Sequence, residues 1–199
     1  MSIPAFWYQE EQLQLTKHTI VNEQGLIEKA KKNNADFRPL YEHYYNPIFR
    51  FILRRVGDKQ LTADLTSQVF LKALQGIGRY TDQGVPFSAW LYRIAINEVS
   101  MFFRKQKNER LVTVEPETLV HLHEELTADQ SLGYLKDKLG AMLQKLSEHE
   151  LYLIELRFFE QLSFKQISEI LEITEVNAKV KVYRTLDKLK KFFNHEKQD

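Results

Sequence analysis

The sequence predicts an all-α protein: two small helical domains joined by an acidic linker, the C-terminal one built on a helix, a short turn and a second helix. Three observations predict it. Apolar residues recur at i, i+4 and i+8 through two long stretches of the N-terminal half, the pattern of helices that bury one face. Two capping boxes, Ser147 to Glu150 and Ser163 to Gln166, start sixteen residues apart and mark two short helices. The one convincing apolar–polar alternation, Val176 to Val182, has no partner elsewhere in the chain, and a lone strand would leave its backbone groups unpaired.

With 199 residues and 43% hydrophobic content the chain can bury a core, in one domain or two small ones. It has no cysteine, which excludes disulfides, a thiolate zinc site and a cysteine nucleophile. The start, MSIPAFWYQEEQLQLTKH, lacks a basic segment followed by a long apolar run, and no stretch approaches the roughly 20 apolar residues of a membrane span. The expectation is a soluble, cytoplasmic protein without direct membrane insertion.

In chain order, FRPLYEHYYNPIFRFILRRVGD reads as a helix kinked at Pro47 and stopped at Gly57. LTADLTSQVFLKALQGIGRY places Leu61, Leu65, Val69, Ala73 and Ile77 on one stripe, widened by Phe70 and Leu74 and ended near Gly76 and Gly78. TDQGVP, with Gly84 and Pro86, is a loop. FSAWLYRIAINEVSMFFRKQKNER resumes helical spacing at Phe87, Trp90, Leu91, Ile94 and Ala95 and finishes in Arg104, Lys105, Lys107 and Arg110, cations suited to a helix C-terminus.

In the C-terminal half, Leu146 with Leu151 and Leu162 with Ile167 are placed as hydrophobic staples for the two capping boxes. The second short helix breaks at Glu172-Ile173 and a third restarts with Thr174 as N-cap and Glu175 in the first turn. On that third helix Ala178, Val182, Thr185 and Leu189 form one seam, while Lys179, Val180, Tyr183 and Arg184 share an adjacent face. The alternation at 176–182 is therefore two helical faces interleaved, in a helix-turn-helix outline.

Charge is distributed unevenly behind a net of +1. Asp36 to Arg110 carries twelve Lys/Arg against seven Asp/Glu, a local +5; Leu111 to Gly133 carries five carboxylates and no Lys or Arg. From Tyr134 onward the balance is twelve basic against eleven acidic, with Lys179, Lys181, Arg184, Lys188, Lys190 and Lys191 gathered after Glu175. Two basic bodies thus flank an acidic connector containing Pro116, which reads as a linker with one short helix.

These segments together resemble the RNA polymerase sigma factors of the extracytoplasmic-function (ECF) group, which keep only sigma regions two and four. LIEKAKKNNADFRPLYEHYYNPIFRFI resembles the opening helices, ADLTSQVFLKAL the polymerase-clamp helix, and FSAWLYRIAIN the promoter-melting segment. LSEHELYLIELRFFEQLSFKQISEILEITEVNAKVKVYRTLDKL resembles the C-terminal helix-turn-helix domain. The pattern departs from the family's at Ala63, Ser67, Met101 and Glu172, where the family tends to carry an acidic residue, Gln, Asp and Gly. The implied organisation is an N-terminal extension over 1–25, region two over 26–110, the linker over 111–133 and region four over 134–199.

The resemblance implies a factor that binds core RNA polymerase and promoter DNA, directs initiation and helps melt the promoter, and is regulated by an anti-sigma factor, membrane-bound or not. For the −35 element it implies Asn177, Lys179, Val180, Lys181, Tyr183, Arg184 and Lys188, a basic helix for the major groove. For the −10 element it implies Tyr80, Phe87, Trp90, Arg93, Asn97, Arg104 and Lys105, with the TDQGVP loop and Asn97 forming a pocket for an unstacked base. For core polymerase it implies Asp64, Leu65, Ser67, Gln68 and Phe70.

Blander readings stand beside these. Tyr80, Phe87, Trp90 and Phe70 are also ordinary core aromatics, and Asp64 an ordinary solvated helix residue. His121 and His123 lack a third plausible ligand, so neither metal nor cofactor is expected. No grouping of Ser, His and carboxylates suggests an enzyme or a small-molecule substrate. The competing functions are a stand-alone helix-turn-helix repressor with an N-terminal helical sensor domain, and a protein-interaction adaptor. The extension, with Phe6, Trp7, Tyr8, Leu13, Leu15, Ile20 and Val21, is expected to be ordered, either packed on the first domain or as a regulatory lid.

Overall fold

The computed structural model describes residues 22–82, 84–106, 122 and 139–195. The rest of the N-terminal extension, most of the acidic linker, and His121 and His123 lie outside the described residues. Among the described residues all regular structure is helical, as the sequence predicts. The chain divides into two compact units, 1–109 and 110–199.

In the first unit α1 spans Glu23–Lys32 and a 3-10 turn, Asn34–Phe37, leads into α2, Arg38–Val56. Helix α2 runs on through Pro47, whose missing N–H removes a single ladder bond, and Gly57 closes it at φ 74° by donating its N–H to the Leu53 carbonyl. Helix α3, Lys59–Gly76, is N-capped by Asp58, whose carboxylate accepts from the Leu61 N–H at 2.7 Å. A 3-10 turn, Ile77–Arg79, precedes the loop to α4, Phe87–Gln106.

Helices α2, α3 and α4 pack against one another. Leu40, Tyr44, Ile48 and Ile52 of α2 meet Leu65, Val69 and Ala73 of α3 and Leu91, Tyr92, Ala95 and Val99 of α4 in the core, all buried. Thr62 and Thr66 are fully buried on α3, which the apolar stripe did not anticipate. Each spends its hydroxyl on the helix's own backbone, on Asp58 O at 2.6 Å and Thr62 O at 2.7 Å, so neither buries an unsatisfied group. On α4 the inward seam runs through Phe87, Leu91 and Ala95, as expected, but continues through Tyr92 and Val99. Trp90 and Ile94 lie half-buried at its flank.

In the second unit residues 139–144 are helical, and α5 spans Glu148–Ile154. It runs into one π turn, Glu155–Phe159, in which Glu160 donates to Glu155 O. Helix α6, Phe164–Leu171, and α7, Glu175–His195, follow. Both capping boxes form in full: Ser147 and Glu150 exchange bonds at 3.3 and 2.8 Å, Ser163 and Gln166 at 3.2 and 2.8 Å. Thr174 caps α7 by accepting the Asn177 N–H at 3.2 Å.

Helix wins over strand at 176–182. Ala178, Val182, Thr185 and Leu189 are buried against α5 and α6, the seam the helical reading requires. Thr185 donates to Lys181 O at 2.9 Å, which satisfies its buried hydroxyl. Between α6 and α7, Glu172 sits at φ 55°, ψ 43°, the left-handed conformation in which a side chain costs about 1 kcal/mol relative to Gly.

Candidate nucleic-acid interfaces

Helix α7 presents a solvent-facing surface of mixed character. Val176 is 75% exposed and Val180 and Tyr183 follow on the same side at i+4 and i+7, with Asn177 and Arg184 also exposed. Lys179 and Lys181 are half-buried at its edges. Such a face offers guanidinium and amide hydrogen-bond donors beside methyl groups, the combination that reads base edges in a major groove. Tyr183 is steadied by the Phe164 ring, 6.2 Å away, and Phe164 in turn carries the Arg157 guanidinium 4.7 Å above it.

Lys188, expected among the DNA contacts, is half-buried and makes a long-range ion pair: its Nζ donates to both Glu150 oxygens, at 3.0 and 2.8 Å. Burial alone would raise the Glu150 carboxyl. The bonds from Lys188 and from Ser147 outweigh it and hold the carboxyl below the usual range. His149 is lowered from its ordinary value, first by partial burial and then by the Lys181 charge, against an opposing pull from Glu148.

In the first unit, the loop after α3 is tightened by Asp82, which accepts the Gly84 N–H at 2.7 Å with Gly84 at φ 72°. Beside it Tyr80, Phe87 and Trp90 form an aromatic triad with centroids 5.1 to 5.3 Å apart. Phe87 is fully buried, so it supports the triad rather than facing a ligand; Tyr80 and Trp90 retain partial exposure. Burial, reinforced by Asp82 and Glu23, pushes the Tyr80 hydroxyl up to about 12, so it stays a neutral phenol. Trp90 approaches the α3 backbone closely: a Cβ on Gly76 would stand 3.2 Å from its ring.

Asn97 is exposed on α4, ten residues beyond Phe87 and so about 15 Å along the helix axis. It lines a cleft of about 580 Å³ with Lys72 of α3 and Trp90, Glu98, Met101 and Arg104 of α4. Among the described residues lining this cleft none belongs to the TDQGVP loop, which was expected to form a pocket with Asn97. Arg104 and Lys105 are exposed, and Arg93 is half-buried. The ion pair between Lys72 and Glu98, 2.5 Å, is a site feature that sequence reasoning missed. Its partners lie 26 residues apart on different helices, a spacing without any local signal.

Of the residues expected to meet a protein partner, Asp64, Ser67 and Gln68 are exposed together on α3, with Leu71 54% exposed on the same side. Leu65 and Phe70 are buried, Phe70 among Phe37, Tyr41 and Tyr45. They shape that face from within. Among the described residues no group of His, Cys and carboxylates could hold a metal, and no helix is long and apolar enough to cross a membrane.

Comparison with known proteins follows this division. Residues 40–109 match the family model described as Sigma-70 region 2, and residues 136–189 match Sigma-70, region 4. The chain is 33% identical over 163 residues to the ECF RNA polymerase sigma factor BldN of Streptomyces coelicolor, covering 81% of this chain and 62% of that protein. It is 29% identical to ECF RNA polymerase sigma factor SigM of Bacillus subtilis, covering 80% of this chain and 96% of that one. In fold it is similar to CnrH, solved in complex with the cytosolic domain of CnrY (TM-score 0.61, 16% identity, 87% of this chain and 97% of that one). It is similar also to RpoE of Bartonella quintana, solved with the anti-sigma factor NepR (TM-score 0.59, 20% identity, 80% and 97%).

Proposed function

Because this chain belongs to the sigma-70 family, in its extracytoplasmic-function group, we propose that it binds core RNA polymerase and directs promoter-specific initiation of transcription. It does so in the cytoplasm and without catalysis of its own. The observation that carries this reading is the solvent-facing surface of α7, where Asn177, Val180, Tyr183 and Arg184 stand exposed on a capped helix at the end of a helix-turn-helix. That surface reads the −35 element, with Lys179 and Lys181 at its edges for phosphates.

Region two, over 26–110, serves the −10 element and the polymerase. Tyr80 and Trp90 offer partly exposed rings on which an unstacked base can stack, and Arg104 and Lys105 are placed for the strand's phosphates. Asp64, Ser67, Gln68 and Leu71 form the polymerase-facing side of α3. The acidic linker over 111–133 repels DNA and suits a cationic path on the polymerase. An anti-sigma factor is the regulatory partner this family membership points to, as the NepR complex of its structural relative illustrates.

In vitro transcription with core polymerase tests the reading. The expected result is promoter-dependent transcript only when both are present, reduced when Asp64→Lys weakens the assembly. A tight, sequence-specific footprint by the chain alone, with no transcription on adding core, would instead establish the stand-alone repressor.

A further inference from the structure

We propose that the cleft between α3 and α4 is a base-reading subsite in which Glu98, held in place by Lys72, accepts a hydrogen bond from the exocyclic amine of an unstacked cytosine, adenine or guanine and so rejects thymine. This rests on the reading of the chain as a promoter-binding factor and specifies one contact within it.

Helix α4 buries a carboxylate where it could have buried an apolar residue. Glu98 is only 6% exposed, yet it lines a cleft large enough for a nucleotide. A carboxylate so placed needs a partner, and Lys72 Nζ supplies one at 2.5 Å to Oε1. The pair is asymmetric. Lys72 is 47% exposed and stands at the rim, while Glu98 sits deep. An ionised carboxylate accepts only, and one ammonium does not exhaust its lone pairs. Glu98 lines a space that it shares with Trp90, Asn97 and Arg104.

These neighbours supply what a splayed nucleotide needs. Trp90 offers an aromatic surface, Asn97 a second polar contact, and Arg104, about two helical turns further on, a cation for the adjoining phosphate. A base entering edge-first brings its outermost exocyclic group to the carboxylate and the next ring position towards the ammonium. Cytosine and adenine present an amine followed by a ring-nitrogen acceptor, which matches carboxylate then ammonium. Guanine also carries an amine, N2, beside the N3 acceptor, whereas thymine has none and presents a carbonyl oxygen followed by an N–H, which sets acceptor against acceptor and donor against donor.

The test uses holoenzyme assembled from core polymerase and the full chain, on pre-melted promoters carrying each of the four bases in turn at every non-template position of the −10 element. With the wild-type chain, one position should disfavour thymine against the three amine-bearing bases by about tenfold or more. Glu98→Gln should reduce that preference to within about threefold at that position alone, since an amide both donates and accepts. Lys72→Arg, which keeps the pair, should preserve it. Should Glu98→Gln fail to fold, Lys72→Gln replaces it, with loss of preference at the same position expected. An unchanged base profile, or a loss equal for all bases at all positions, overturns the subsite. A wild-type holoenzyme that binds no pre-melted promoter overturns the sigma-factor reading and the subsite with it.

Discussion

The carboxylate of Glu23, in the first turn of α1, accepts the backbone N–H of Phe87, the first residue of α4, at 3.0 Å. Its other oxygen accepts the Tyr44 hydroxyl from α2, so one side chain clasps three helices at the base of the aromatic triad. A negative group at a helix N-terminus satisfies an orphan donor and meets the favourable end of the dipole. Glu23→Ala should therefore destabilise the first unit by about 1–2 kcal/mol, and Glu23→Gln by less, since the amide still accepts. Urea denaturation of the full chain measures both; equal stability in all three proteins would remove the clasp from the account.

The turn before α7 carries a residue poorly suited to its backbone. Glu172 occupies the left-handed region at φ 55°, where glycine is free of the Cβ penalty. Glu172→Gly should stabilise the second unit by about 0.5–1 kcal/mol, the strain relieved being partly offset by the freer unfolded chain. A raised urea midpoint with unchanged slope is the expected signature; a lowered midpoint would mean that the glutamate's own contacts outweigh the strain.

Arg184 is exposed on the surface of α7 proposed to read the −35 element. Removing a bidentate base contact costs about 1–3 kcal/mol at one base pair, whereas a phosphate contact is lost equally on all sequences. For Arg184→Ala we expect a loss confined to one position of a −35 library bound by holoenzyme. Uniform loss across the library would reassign Arg184 to the phosphates.

The Lys188–Glu150 pair ties α7 to α5 and should respond to acid. Glu150 is held below its ordinary pKa in the folded chain, so the folded state binds fewer protons than the unfolded one. Its contribution is complete above the unfolded value near 4.5 and fades as pH falls through the lower folded value. Glu150→Gln keeps the capping geometry, as Gln166 does in the neighbouring box, and removes the charge. Because both side chains are partly exposed, a loss of about 0.5–1 kcal/mol is expected at pH 7, shrinking at a second, acid pH well below 4.5. Unfolding midpoints at the two pH values decide this, and a difference independent of pH would show that the charge pair contributes nothing.

What the sequence determined by itself was whatever physics acts within about four residues along the chain. The boxes at Ser147 and Ser163, the Thr174 cap, the stop at Gly57 and the helix over Glu175–His195 all arise from bonds and stripes of that range. Order and spacing of such segments also sufficed for the family resemblance. Periodicity says which side of a helix is apolar, but not where a neighbouring helix ends and solvent begins. So Phe87 went inward while Trp90 came to the flank, Leu65 and Phe70 lay beneath the face they were expected to form, and Thr62 and Thr66 joined the core. The pairs Glu23–Phe87, Lys72–Glu98 and Glu150–Lys188 join residues 64, 26 and 38 positions apart. Only packing brings such groups together, because a charged side chain has no local preference that names its distant partner. Tertiary structure therefore decided which side chains remain exposed and which are already committed to holding the fold.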